Sequence, residues 1–348
     1  MTPPSGTPAS DAHWPRIVWP LAALALLLIF NGIFTPGFFA VEVRDGRLYG
    51  SLIDILDRAA PLMLVSIGMT LVIATAGVDL SVGAVMAIAA AVAACLVARP
   101  DYSPLAGIDL GGSFVLVVLV ALGVAALAGA CNGALVGMGG IQPIVATLVL
   151  MVAGRGIAQL LTDGQIVTFN DPAFARLGNG ALLGWPVPVW IALAAAALVA
   201  MLVRITALGL FLEAIGGNPV ASHLSGVPAA RLVILVYAAC GALAGLAGLL
   251  VAADIQACDV NNAGLFIELD AILAVVIGGT ALTGGRCSLL GSIVGALLIQ
   301  CLTTTILGRG VPVEWTLVIK AAVVISVCLL QSPRFRAMAR GNPAGGAA

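Results

Sequence analysis

About ten apolar runs, each near the thickness of a lipid bilayer, leave this chain one solvent in which it can fold. They lie at about 17–35, 59–77, 80–98, 113–137, 143–162, 186–204, 231–253, 270–285, 288–307 and 313–331. At about 1.5 Å rise per residue, some twenty helical residues cross a hydrocarbon core of about 30 Å. In hydrocarbon no water satisfies the backbone, so such runs fold as helices that pair their own N–H and C=O groups. The expected fold class is all-α, a polytopic membrane protein of about ten transmembrane helices. Of 348 residues, 61% are hydrophobic and 9% charged, against about a quarter charged in soluble domains.

Composition also excludes functions. The formal net charge is -1, so no basic field points to nucleic acid. Lys320 is the sole lysine, and no G-x-x-x-x-G-K-[ST] loop occurs, so the chain does not hydrolyse ATP by the P-loop route. The seven cysteines (Cys95, Cys131, Cys240, Cys258, Cys287, Cys301, Cys328) form no C-x-x-C pair and read as small apolar fillers. His13 and His223 are isolated and H-E-x-x-H is absent. No catalytic residue, metal or cofactor is expected.

Residues 1–16 read as a disordered tail and 17–331 as a transmembrane domain, interrupted by a polar loop at 205–230 and followed by a second tail at 332–348. The first run has only Arg16 as a basic flank and no clear cleavage site, which reads as an uncleaved span. Arg334, Arg336 and Arg340 crowd the C-terminal end, while Arg204 and Arg231 flank the 205–230 loop. The positive-inside rule then places both termini and that loop in the cytoplasm, although Arg44, Arg47, Arg58, Arg99, Arg176 and Arg309 fall on the other side. Asp254, Asp259, Glu268 and Asp270 are expected in one outer loop.

Glycine spacing tells how the helices meet. Gly129, Gly133 and Gly137 recur every four residues, as do Gly241 with Gly245 and Gly291 with Gly295. Close helix packing is the favoured reading, since small faces let backbones approach in lipid; pore lining is the alternative. Leu71 to Gly83 and Val275 to Arg286 each set a Gly-rich break between apolar runs, a likeness that fits an internal duplication.

The loop from Gly209 to Gly226 is built like a short capped helix. Asn218 suits the N-cap, Pro219 the first helical position, and Gly226 a left-handed terminus. A chain that spends little on loops yet places a firm helix in one docks a partner there. Among residues near the apolar runs, Asp79 has two readings. It caps the helix after Gly77, with Ser81 sharing that role, or it lines a cavity at a deeper break. Arg155, with Gln159 one turn on, suits either sugar hydroxyls along a path or a buried salt bridge. Lys320 is expected to snorkel or pair. Asn261 and Asn262 lie in a loop crowded with hydrogen-bonding groups.

Gly77 to Gly83, the loop from Ala214 to Gly226, and Ile277 to Arg286 resemble the permeases of bacterial sugar ABC importers of the ribose type, over about residues 48–331. Asp45 to Gly50, Met151 to Leu160, Gln165 to Asn170, Ala252 to Ile255 and Asn261 to Gly264 set the resemblance nearest the galactofuranose importers. It implies the ABC importer permease fold in the bacterial inner membrane, and a pair of permeases, identical or different, around a path. It further implies a cytoplasmic ATPase on the loop, a periplasmic sugar-binding protein at the outer face, and lipid around the spans. The loop residues implied are Glu213, Gly216, Gly217, Asn218, Pro219, Ala221 and Gly226, with contacts by Ser222 and His223 in doubt. Path candidates are Asp79, Ser81, Arg155, Gln159, Asn261 and Asn262. The rival is a gradient-driven secondary transporter or channel for a small polar solute. An intramembrane enzyme would need a convergent acid, base or metal set that the sequence does not offer.

Overall fold

A computed structural model of the chain describes residues 17–44 and 46–331. The expectations placed on the two tails, on His13 and Arg16, on Asp45, and on Arg334, Arg336 and Arg340 lie outside the described residues. The described chain is helical almost throughout, with three two-stranded pieces that an all-α reading did not contain.

Among the described residues six helices are long and apolar enough to cross a membrane: α2 (Ser51–Ala74), α4 (Phe114–Gly137), α5 (Pro143–Thr162), α7 (Val187–Ile205), α10 (Ala229–Ile255) and α12 (Leu289–Gly308). The others are α1 (Val18–Phe34), α3 (Val82–Ala98), α6 (Pro172–Asn179), α8 (Leu208–Gly217), α9 (Pro219–Leu224), α11 (Ile267–Ile277) and α13 (Val313–Gln331). α10 is central and packs on α4, α2 and α3; α5 lies on α3, α7 on α2, and α1, α11 and α13 flank α12.

The two ends of the bundle differ. One carries α8 and α9. The other carries α6 and the strands β1 (Glu42–Arg44), β2 (Arg47–Tyr49), β3 (Val167–Thr168), β4 (Ala181–Leu182), β5 (Trp185–Pro186) and β6 (Ala257–Cys258). β1 pairs antiparallel with β2, β4 with β5, and β3 with the distant β6, which staples the end of α10 to the chain after α5. Phe174 of α6 anchors this end, its ring edge-on to Phe114 at 4.9 Å and Phe169 at 5.3 Å.

α2 and α3 are enclosed over most of their length, whereas α4, α5 and α7 turn large apolar side chains outward, such as Leu127, Val152 and Leu198. Apolar burial gives little reason for helices to associate in lipid, so contact must come from close approach. Gly129, Gly133 and Gly137 supply it along α4. A Cβ at Gly129 would stand 2.2 Å from the Tyr237 carbonyl oxygen of α10, and one at Gly133 2.6 Å from the Ile234 α-carbon. Gly241 returns the contact, meeting the Ala125 carbonyl. Packing, rather than pore lining, uses these glycines.

Two runs depart from the sequence reading. The stretch at 270–285 is not one helix: α11 has 11 residues, about 16 Å, and ends at Gly278. Gly279, Gly284 and Gly285 then take positive φ values of 91°, 81° and 76°, which an α-helix cannot continue through. The 205–230 loop holds two helices rather than one, because α8 extends from Leu208 to Gly217 before Asn218 breaks the direction with φ -155°.

The glycine seam allows a matched test. Gly129→Ala, which drives a methyl into α10 backbone, is expected to destabilise by about 1–3 kcal/mol. Gly123→Ala lies on the same helix with nothing within 4 Å. It should stay within about 0.5 kcal/mol of the parent by thermal unfolding in detergent.

Candidate functional site

The first candidate region is the α8–α9 element. α9 has 6 residues and the caps that Asn218 and Gly226 were expected to give. The Asn218 Oδ1 accepts the Ala221 N–H at 2.9 Å, Pro219 opens the helix, and Gly226 follows with φ +79°. α8 buries Leu212, Ile215 and Gly216 against the bundle and leaves Glu213, Gly217, Asn218, Pro219 and Ala221 exposed. Glu213 does not point only to solvent: its Oε1 accepts the Cys287 N–H at 3.1 Å. Ser222 is buried and His223 exposed.

The outward face of this element is apolar. Leu210, Val220 and Leu224 are 70%, 71% and 85% exposed, at an end of the bundle outside the six long apolar helices. Large apolar side chains grouped on one surface mark an interaction site.

The second region is the break between α2 and α3, residues 75–81. Asp79 and Ser81 are enclosed, at 1% and 0% exposure. Ser81, not Asp79, stands at the N-cap of α3 and makes no side-chain cap bond. The Asp79 Oδ1 instead accepts the Ser81 N–H at 2.9 Å and the Ser81 hydroxyl at 2.6 Å. The Ser81 Oγ in turn accepts from the Asn132 side chain of α4 at 2.9 Å. The carbonyl of Val78 accepts from the Tyr237 hydroxyl of α10 at 3.3 Å and the Thr147 hydroxyl of α5 at 3.5 Å. Three helices are therefore tied to one break, and in this conformation Asp79 and Ser81 face protein.

The third region joins Arg155, Gln159, Asn261 and Asn262. Among the described residues Arg155 makes no ion pair; its Nη1 donates to the carbonyls of Val260 at 2.8 Å and Ala263 at 2.6 Å. Gln159 donates to the Asn261 side chain at 2.9 Å. The Asp259 carboxylate accepts from the Asn262 side chain at 2.7 Å and from the backbone N–H groups of Asn261 and Asn262. Those bonds, the Asn262 side chain first, hold its carboxyl below the usual range. Between β6 and α11 the segment 259–266 thus becomes a strap, fastened to α5 at two points, with Gln159, Asn261 and Asn262 turned outward. At its far end Gly264 packs on Gly83 of α3, where a Cβ would stand 2.7 Å from the Gly83 carbonyl.

The expected acidic outer loop is divided. Asp254 ends in α10, Asp259 in the strap, and Glu268 and Asp270 in the first turn of α11. Asp270 pairs with Lys320 of α13 at 2.7 Å, so the lysine is paired. Glu268, passed over as a site residue, is buried beside Arg155. Asn132 and Tyr237 were missed too. A lone amide and a lone phenol in glycine-marked apolar helices were the signal, because such groups need partners in lipid. Among the described residues no cluster of His, Cys, Asp or Glu could hold a metal ion.

Comparison with known proteins gives these regions a context. The family described as branched-chain amino acid transport system / permease component matches residues 51–328. The chain is 52% identical over 339 residues to the galactofuranose transporter permease protein YtfT of Escherichia coli (strain K12), covering 97% of this chain and 96% of that one. It is 41% identical over 326 residues to the fructose import permease protein FruF of Bifidobacterium longum (strain NCC 2705), covering 92% and 88%. It is 35% identical over 318 residues to the ribose import permease protein RbsC of Escherichia coli (strain K12), covering 90% and 93%. No solved structure matches the chain.

The strap generates a local prediction. Arg155→Met keeps the stem and removes the donors to two carbonyls. Hydrogen bonds to a charged group are worth about 1.5–3 kcal/mol, so amide exchange across 259–266 should speed up by about tenfold or more. Exchange in the middle of α10 should not change. An unaltered strap would show that the Arg155 bonds do not hold it.

Proposed function

The chain belongs to the branched-chain amino acid transport system / permease component family, and from that premise we propose that it is the membrane-spanning permease of an ATP-driven sugar importer, carrying galactofuranose or a related monosaccharide. It is a non-catalytic subunit; ATP hydrolysis belongs to a separate chain. The observation that carries the reading is the α8–α9 element, a capped surface with Leu210, Val220 and Leu224 exposed at one end of the bundle. An apolar helix face of that kind seats in a groove of a partner. The partner is a cytoplasmic ATPase, which places the α9 end and both termini in the cytoplasm and the strap at the periplasmic side of the inner membrane. The choice of cargo rests on the names of the relatives, which are permeases for galactofuranose, fructose and ribose.

In this reading about ten helices cross the bilayer: the six long ones with α1, α3, α11 and α13, α11 crossing in series with the 278–288 segment. A second permease subunit, identical or different, completes the path, and a periplasmic binding protein delivers sugar to the end that bears α6 and the strap. Arg155, Gln159, Asn261 and Asn262 offer the guanidinium and amides that sugar hydroxyls accept. Closure of the ATPase pair moves α8–α9, and the packed helices rock as bodies around the path.

The function is tested by reconstituting the chain with the ATPase and binding protein encoded beside it. ATP-dependent uptake of galactofuranose in vesicles is expected. Uptake by the chain alone under a proton or sodium gradient would replace this reading with a secondary transporter. The docking surface has its own test. Gly217 meets nothing within 4 Å and has no positive φ, so a β-branched residue there does not disturb the turn. Gly217→Val should cost the isolated chain less than about 1 kcal/mol. It should nevertheless cut ATPase co-purification, because the branch projects into the partner. Gly226→Val acts otherwise: its φ of +79° imposes about 1–2 kcal/mol of backbone strain on the chain itself.

A further inference from the structure

The two Gly-rich stretches that look alike in sequence touch in the structure, and they touch under α8. The carbonyl of Ala74, at the end of α2, accepts the Gly285 N–H at 3.0 Å. Gly216 of α8 presses on the same carbonyl: a Cβ there would stand 1.9 Å from the Ala74 oxygen and 2.5 Å from the Gly285 nitrogen. Gly284, with φ +81°, sits against Ala76, itself a non-glycine residue at φ +61°. Gly285 in turn lies against Gly217, where a Cβ would come within 3.3 Å of that backbone. Glu213 adds the bond to the Cys287 N–H. α8, the end of α2 and the 278–288 segment therefore meet backbone to backbone.

We propose that this junction of Gly216, Ala74 and Gly285 is the transmission contact through which movement of α8–α9 reaches the break at Asp79. It rests on the docking role proposed above. Side-chain contacts absorb displacement by changing rotamer, whereas apposed backbones joined by a hydrogen bond have no such slack. A shift of α8 must carry Ala74 with it, and Ala74 is five residues from Asp79. At the break, Val78 and Ser81 hand the movement to α10, α5 and α4 through Tyr237, Thr147 and Asn132. α5 extends the line further. Thr147 and Arg155 are eight positions apart on it, about 12 Å, so the helix bonded to the break also holds the strap. Ala76, Gly284 and Gly285 are positioning residues in this scheme; none touches cargo or nucleotide.

The test is the number of sugar molecules moved per ATP hydrolysed by the reconstituted complex. Two variants bracket the junction. Gly285→Ala inserts a methyl at positive φ against Gly217; Ala76→Gly removes a methyl from a left-handed residue and relieves strain, so it should fold. For Ala76→Gly the complex should assemble and hydrolyse ATP at a basal rate within about twofold of the parent. Transport per ATP should fall about fivefold, the scale expected when a coupling element loses about 1 kcal/mol. Gly285→Ala should lower the same ratio if it assembles, and the softer variant decides the matter if it does not. An unchanged ratio in Ala76→Gly overturns the proposal. So does loss of assembly in that variant, which would make the junction part of docking. Failure of the unaltered chain to bind an ATPase would overturn the function proposed above instead.

Discussion

A backbone carbonyl buried away from water must find a donor, and two irregular places in this structure, the break after α2 and the strap, are organised by that need. At the end of α2 the Ala74 carbonyl takes the Gly285 N–H, and a few residues on the Val78 carbonyl takes hydroxyls from α10 and α5. In the strap, Arg155 supplies two carbonyls at once. Unsatisfied, each buried group would cost about 1–3 kcal/mol. The donors come from different helices, so the repair of each break is also a tie between elements remote in sequence. The bundle is cross-linked where it is least regular.

The same constraint separates what the residues disclosed from what they did not. The local geometry at Asn218, Pro219 and Gly226 was legible, because caps and left-handed glycines are decided within a few residues. So was the use of Gly129 and Gly133, whose spacing leaves no reading as economical as close approach. Partner identity was not legible. Arg155 admitted a sugar or a carboxylate and found main-chain carbonyls, which carry no signature in composition. Asp79 admitted a cap shared with Ser81 or the lining of a cavity; its bonds run to Ser81, and Ser81 holds the cap position, a difference of two residues that only the course of the chain decides. The run at 270–285 counted as one helix because hydropathy cannot distinguish a helix from an apolar loop with three left-handed glycines.

The polar groups divide by depth of enclosure. Asp79, Ser81 and Asn132 are sealed in protein in this conformation. Gln159, Asn261 and Asn262 are exposed beside a half-buried Arg155. α5 belongs to both sets, with Thr147 bonded at the break and Arg155 at the strap. That shared helix gives a physical basis for linking events at opposite ends of the bundle without a side-chain wire between them.

The bare leucines and valine of α8 and α9 have a cost before any transport begins. On the docking role proposed above, a chain not yet joined to its partner offers water Leu210, Val220 and Leu224, the kind of surface that proteases and chaperones recognise on unfinished proteins. Occupancy of that patch then decides the lifetime of the subunit as well as its motion.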